Sequence, residues 1–386
     1  MEKITARRLT RDNFDWVTGI FIIGYHILLL ILLPIYFIHH SPPTSMLVLS
    51  GVLLFFTGIS VTGGYHRLYS HSAYKTNPII EAIFLFFGTM STQGSALRWS
   101  YEHRIHHAFV DKDNDPYCIK KGFWYAHLFW LFFKGNEIDK KVVADLYRNK
   151  LVMFQHKYYG LLMVITNLIP AVLIGYFYND YLSAFLFAWG VRLFFSHHFT
   201  WFINSLAHYW GTQTFSQEHT AVDNYIISLV TWGEGYHNYH HTFANDYRNG
   251  IKWYHFDPTK WLIWGLHKLG LAHNLRRMSS DRIARQMILE RKNELLERMN
   301  LRFQSHKHSL EEQINKVADH LIEKLAEFQK LIEQKKSLKK EPSMSETFYD
   351  DTKKKIDEMK RDLKTAWKEW KQLSKTILET KTLETT

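Results

Sequence analysis

Nine histidines in this chain stand at spacings that let imidazoles meet at a point. They form His66-Arg-Leu-Tyr-Ser-His71, His103-Arg-Ile-His106-His107, His237-Asn-Tyr-His240-His241 and the single His208 of Asn204-Ser-Leu-Ala-His208. Positions three and four apart share a helix face. His103 with His106 or His107, and His237 with His240 or His241, can therefore each aim ring nitrogens at one place. His66 and His71 are five apart and converge only if the helix ends or widens between them. Imidazole is the commonest protein metal ligand. Nine exceed what one ion takes, whereas two ions with four or five ligands each would use them all. The metal stays open on spacing alone, because imidazole suits Zn, Cu, Fe and Ni alike. No His-Glu-x-x-His is present, which excludes a metalloprotease helix. Only Glu234-Gly-Tyr-His237 has the Glu-x-x-His form of carboxylate-rich diiron bundles.

The rest of the composition narrows the chemistry. The chain has 386 residues, a formal net charge of +11 and 23 histidines, 20 of them before residue 276. Cys118 is its one cysteine, which excludes an internal disulfide, a zinc ribbon and a cysteine-held iron–sulfur cluster. In its polar, Asp-rich stretch, Cys118 is incidental.

Four apolar segments must position the histidines: Trp16–Ile38, Met46–Val61, Leu161–Phe177 and Leu182–Phe195. Each reads as a membrane span, the second and fourth running out toward histidines on one side. The first is too long for a cleaved leader and lacks a small-residue cleavage site. Ile79–Met90 reads as an interfacial helix, and the aromatic run Phe123–Phe133 is too short to span. The connections His39–Ser45 and Tyr178–Tyr181 carry no Lys or Arg, whereas both termini and the long 64–158 connection are rich in them. The positive-inside bias places the termini, the long connection and all nine histidines on the cytoplasmic side. The host membrane would be a bacterial inner membrane or the endoplasmic reticulum.

Near residue 275 the composition changes. Residues 276–386 are charged and free of glycine. Leu310, Ile314, Val317, Leu321, Leu325 and Phe328 recur at helical spacing, as do Ile356, Met359, Leu363, Trp367, Trp370 and Leu373, with a break at Glu341–Thr347. The fold class expected is an all-α membrane protein: four transmembrane helices with a cytoplasmic histidine-rich cap over residues 1–275. A C-terminal helical hairpin or coiled coil over 276–386 follows, able to form a homo-oligomer. No basic stripe interleaved with stacking aromatics is present, so nucleic acid is not an expected partner.

The histidine boxes resemble those of the integral-membrane fatty acyl-CoA desaturases of the stearoyl-CoA (delta-9) type. The likeness extends to Arg98-Trp99-Ser-Tyr-Glu-His103, Asp113-Asn-Asp-Pro116, Gly122-Phe-Trp-Tyr-Ala-His127, Gly233-Glu-Gly-Tyr-His237 and Asp246-Tyr-Arg-Asn-Gly250, and covers about residues 15–275. No His-Pro-Gly-Gly haem motif of a fused cytochrome b5 follows in the tail.

The resemblance implies two iron ions held by His66, His71, His103, His106, His107, His208, His237, His240 and His241. It implies O2 as co-substrate, electrons from cytochrome b5 or ferredoxin with its NAD(P)H reductase, and a cis double bond placed in a saturated fatty acyl-CoA or acyl lipid. It assigns Asn204 to a metal-bound water, and Trp99 and Trp201 to the bent acyl chain. An unactivated C–H bond has no useful acidity, so a redox metal must do the hard chemistry while protein supplies position. Glu102, Asp111, Asp115 and Glu234 are the acids placed to hold the outer ring nitrogens. His127 is a packing or supporting residue. Arg104, Lys120 and Lys121 are candidates for CoA phosphates. Gly58, two turns into the second span, would leave room for the methyl end of the chain. The competing readings are a related diiron hydroxylase and a non-enzymatic haem- or metal-binding membrane protein. The second would want histidine pairs or ionisable groups inside the spans.

Overall fold

Helix-forming signals start and stop most of the apolar segments. The computed structural model describes residues 8–302, 307–338 and 346–379. Helix α1 (Trp16–His39) begins at Asp15, whose carboxylate accepts from the Thr18 N–H at 3.0 Å. After a Ser-Pro-Pro turn, α2 runs through Thr44–Ser70. Asn77 caps α3 (Pro78–Met90), with a proline at its first position, and Ser95 caps α4 (Ala96–Phe109). Helix α5 (Tyr159–Tyr178) stops where Asn179 turns left-handed, at φ 51°. Helix α6 covers 181–204, α7 His237–Thr242 and α8 Pro258–Lys268.

Three helices, α1, α2 and α5, are long and apolar enough to cross a membrane, and they contain the first three predicted spans. Val17, Leu30, Ile38, Leu161 and Phe177 stand exposed on α1 and α5, as a lipid-facing surface would have them. The fourth predicted span differs. It lies in α6, a continuous helix that is not among the three. The polar groups that interrupt it point inward. Arg192 is buried and donates to Ala188 O (2.7 Å) and Met90 O (3.2 Å), and His197 lies within 3.0 Å of Ser91 O.

The chain divides into two compact units, 1–213 with 218–277, and Thr214–Gln217 with Met278–Thr386. The core of the first unit joins Tyr65, Leu68 and Tyr69 of α2 to Phe84 of α3, Leu97 and Tyr101 of α4, and Ile263 of α8. A two-residue antiparallel ladder pairs Lys75 with His273 and Thr76 with Ala272.

The second unit corrects the expectation of a two-helix tail. Among the described residues it has three helices, α9 (Ser280–Arg302), α10 (Lys307–Leu338) and α11 (Glu346–Glu379). Ile288, Leu295 and Met299 of α9 share one core with Ile314, Ala318 and Leu321 of α10 and Ala366, Trp370 and Ile377 of α11. The apolar stripes that suggested an oligomer thus have a partner within the chain. Most of the expected break at Glu341–Thr347 lies outside the described residues. Gln217 N–H donates to Glu290 Oε1 at 2.6 Å, and Gln286 Nε2 to Phe215 O at 2.8 Å.

Candidate metal centre

Two groups of imidazoles converge in the first unit. His66, His71, His103, His107 and His240 make the first group, and His106, His208, His237 and His241 the second. Within each, one ring nitrogen per residue lies within 4.8 Å of all the others.

Local helix geometry sorts them. The last ten residues of α2, Val61–Ser70, are π-helical, and the His71 N–H reaches His66 O at 3.1 Å, five residues back. That widening puts His66 and His71 on one face, the condition their spacing set. On α4, His103 and His107, four apart, enter the first group while His106 enters the second. On α7 the assignment reverses: His237 and His241 enter the second group and His240 the first. His208 follows the end of α6 on a short turn of 3-10 helix, Leu206–His208.

The donor set fits metal ions. In the first group, Nε2 of His240 is 3.0 Å from Nε2 of both His66 and His107, and Nε2 of His71 is 2.8 Å from that of His103. In the second, Nε2 of His241 is 3.2 Å from that of His106 and 3.1 Å from that of His237. Nitrogens bound at right angles to one ion at ~2.1 Å lie ~3.0 Å apart. One ring nitrogen cannot satisfy two others by hydrogen bonding, since it carries either one lone pair or one hydrogen. Nε2 of His208 is buried with no hydrogen-bond partner among the described residues. Burial, and then the neighbouring imidazoles, hold His103, His107, His208, His240 and His241 well below the usual histidine range, so these rings are neutral and ready to ligate. No carboxylate enters either group.

The acids stand behind the imidazoles. Glu234 Oε2 is 2.9 Å from His66 Nδ1, and Asp115 Oδ1 is 2.9 Å from His106 Nδ1. Burial alone would raise the Glu234 carboxyl, but His66 and Arg67 beside it hold it down at about 2. Asp111 works through an intermediary: Thr220 Oγ1 lies 2.9 Å from His208 Nδ1 and donates to Asp111 Oδ1 at 2.6 Å. These contacts assign the proton to Nδ1 and leave the Nε2 lone pair for a metal. Tyr117 OH stands 3.2 Å from His103 Nδ1 and orients that ring.

Glu102 does not join them. Its carboxylate faces Arg98, one helical turn back, at 3.8 Å, because adjacent positions on α4 point about 100° apart. Arg104 is likewise turned away from a phosphate role. It binds the carbonyls of Tyr69, Ser70 and Val142 and both oxygens of Asp145. Lys121 donates to Asp113 O at 2.7 Å and is also engaged, whereas Lys120 is half-buried on the same short turn.

Trp99 stacks on His103 with ring centroids 4.9 Å apart. Trp201 lies among other histidines, stacked on His197 at 5.1 Å and near His198 and His127. His127 Nε2 is 3.0 Å from His198 Nδ1, and its Nδ1 is 3.0 Å from Ser205 Oγ, so it packs and pairs away from the nine. Asn204 is half-buried at the end of α6.

Gly58 departs from its expected role. The space beside it is filled by Trp232, and a Cβ at 58 would sit inside the indole ring. Gly58→Ala is expected to destabilise the fold by about 1–3 kcal/mol through overpacking. Thermal unfolding in detergent reads this, with Trp232→Phe in the same chain recovering part of the loss.

Sequence reasoning did not single out Arg67, Tyr117, Thr220, Asn249 or Asp257. Arg67 had a signal: a charge set between two candidate ligands on an apolar helix must be paired. It is, with Nη2 2.8 Å from Glu234 Oε1 and 3.0 Å from Asp257 Oδ1. Gly233 admits this acid: its φ is 101°, and a Cβ there would lie 2.5 Å from Asp257 Oδ1.

Comparison with known proteins agrees with the site. The chain is 44% identical over 234 residues to acyl-CoA desaturase 1 of Saccharomyces cerevisiae, covering 60% of this chain and 46% of that protein. It is 39% identical over 290 residues to a probable acyl-CoA desaturase of Schizosaccharomyces pombe, covering 74% and 59%. It is 36% identical over 282 residues to an sn-2 palmitoyl-lipid 9-desaturase of a Nostoc species, covering 70% and 93%. The chain thus spans about half the length of the two yeast relatives. The fatty acid desaturase family model matches residues 43–276, a stretch that holds both imidazole groups and the acids behind them, and the chain belongs to that family.

Proposed function

We propose that the chain is a membrane fatty acyl-CoA desaturase that places a cis double bond, at carbon 9, in a saturated acyl chain. The observation that carries this is the pair of all-imidazole groups, whose lone pairs converge with no carboxylate among them. Two iron ions there would supply O2 activation and C–H cleavage. Two hydrogens from adjacent methylenes, with two electrons and two protons, reduce O2 to two waters. Cytochrome b5 or ferredoxin, with its NAD(P)H reductase, delivers the electrons.

The chain's own residues do the positioning. Glu234, Asp115 and Thr220 fix the ring orientation of His66, His106 and His208. Trp99, flat against His103, gives the acyl chain an apolar wall, Trp201 a second one, and Asn204 holds a water. Residues 1–275 form the desaturase domain and 276–386 an extension. The fourth apolar segment completes a four-span topology with the termini and site on the cytoplasmic side.

An acyl-lipid substrate is the second reading. It is favoured by the Nostoc relative's coverage and by the engagement of Arg104 and Lys121 within the protein, which leaves fewer cations for CoA phosphates. Expression in a host lacking its own desaturase, with fatty acids profiled by gas chromatography, tests the proposal. A monounsaturated product is expected, and His106→Ala should abolish it. A hydroxylated product, or none from the intact protein, overturns it.

A further inference from the structure

Helix α8 (Pro258–Lys268) is apolar on two faces. Ile263 and Leu266 belong to the core of the first unit. Trp261 and Trp264, on the opposite face, stand exposed, and Leu269, just past the helix, is 75% exposed. A helix at a water-facing surface carries polar residues on its outer side. The preceding loop has the same character: Trp253 is 87% exposed, with Tyr254 exposed beside it. Lys260 clamps that loop to the first turn of α8, donating to Gly250 O at 2.6 Å, Lys252 O at 3.1 Å and His255 O at 3.3 Å. A single exposed aromatic needs no explanation, but these side chains share one helix and the loop tied to it, and they form a patch.

The level of the patch is set by α2. Thr259 Oγ1, in the first turn of α8, lies 2.7 Å from Thr62 Oγ1 of α2. From Thr44, where α2 begins, to Thr62 is about 27 Å at the rise of an α-helix, close to the ~30 Å thickness of a bilayer's hydrocarbon core. The start of α8 thus stands where α2 leaves the bilayer, on the histidine side. The same turn of α2 meets α3: a Cβ on Gly63 would lie 3.4 Å from the Phe84 ring and 3.6 Å from Thr259 Cγ2. The ladder of Lys75–Thr76 with Ala272–His273 joins the chain entering α3 to the chain leaving α8. Ile79, Ile83 and Phe86 of α3 are exposed as well. Two short helices therefore meet α2 at one level, each with an apolar outer face continuous with the lipid-facing span.

Two cations frame the patch on α8. Lys252 Nζ lies 5.5 Å from the centre of the Tyr254 ring and Lys268 Nζ 5.4 Å from that of Trp264. Both lysines are exposed. Trp and Tyr bodies with ammonium groups at their edge suit the boundary between acyl chains and headgroups. We propose that the outer face of α8, with Trp253 and Tyr254, is a membrane-docking surface. It seats in the headgroup region without spanning, and it selects anionic phospholipid through Lys252 and Lys268. The proposal rests on α2 being a span.

The test uses the full chain in nanodiscs of phosphatidylcholine and phosphatidylglycerol. Cys118, the chain's one cysteine, is buried, so a polarity-sensitive fluorophore is placed on Trp264→Cys, with the unsubstituted chain treated alike as the blank. Emission should shift to the blue and be quenched by nitroxide-labelled lipid. Labelled phosphatidylglycerol should quench about twofold or more strongly than labelled phosphatidylcholine. Adding Lys252→Glu and Lys268→Glu should remove that preference. The same fluorophore on Leu30→Cys, at an exposed position of α1, reports the span itself. Water-like, unquenched emission at position 264 with quenching at position 30 overturns the proposal. Equal quenching by the two lipids, or a preference that survives the charge reversal, overturns the anionic selection. Absence of quenching at both positions overturns the spanning reading beneath it.

Discussion

Glu234→Gln is expected to lower metal affinity at the first imidazole group by about 10–100-fold, although glutamine has the shape of glutamate. The reason is the number of donors that surround this side chain. Oε1 accepts from Arg67 Nε at 3.1 Å and Nη2 at 2.8 Å, while Oε2 faces His66 Nδ1 at 2.9 Å and accepts from Asn249 Nδ2 at 2.6 Å. An amide presents one oxygen and one NH2, so whichever way it turns, an N–H meets an N–H. If the NH2 faces His66, that ring must give up its Nδ1 proton to accept, and the proton then moves to the Nε2 that should ligate. Metal content of the purified variant measures the effect, and full metal occupancy would refute it. The carboxylate is held at about 2 in the fold, below its usual range. Its stabilising contribution is therefore fully present above that usual range and is lost only as pH falls toward about 2.

Arg67→Met should damage the fold more than any single ligand change. Arg67 is buried and joins Glu234 to Asp257, with Nη1 also donating to Tyr247 O at 2.8 Å. Methionine fills much of the volume but removes the guanidinium that bonds both acids. Asp257 keeps the N–H groups of Asn249, Gly250 and Lys260. The loss therefore falls mainly on Glu234, left with Asn249 and His66. Breaking a buried pair in this way costs about 3–5 kcal/mol, against a total stability of about 5–15 kcal/mol for a typical protein. The expected readout is a sharp fall in monodisperse protein on size-exclusion chromatography and a lower unfolding midpoint. Arg67→Lys should fall between, because an ammonium cannot fork to both carboxylates. Wild-type stability in Arg67→Met would contradict the pairing.

The nine histidines were legible because their spacing is a local property of helices. Glu234 and Asp115 were legible because each stands within ten residues of a histidine box, although the ring that Glu234 holds, His66, belongs to another box. Thr220 and Tyr117 were not, since each reaches its ring from a loop, and nothing in Thr or Tyr marks a second contact with imidazole. Asp111 was placed in the right neighbourhood, but its link to His208 passes through Thr220. Glu102 and Arg104 show the limit of proximity: beside His103 in sequence, they turn to other faces of α4. Gly58 was read as open space because the partner that fills it, Trp232, comes from far along the chain. Helix α9 is less plainly marked because its buried residues, Ile288, Leu295 and Met299, are spaced by seven and four, with a charged stretch, residues 290–294, between the first two.

Each three-histidine box divides its members between the two groups, two to one side and one to the other, in opposite senses on α4 and α7. The two sets of nitrogens are therefore mechanically one object. A rotation of α4 that opened the first set would drag His106 out of the second, and a tilt of α7 would do the converse through His240. Neither set can be redesigned alone by moving α4 or α7. A protein engineer wishing to alter one would have to work ring by ring, leaving the two backbones where they are.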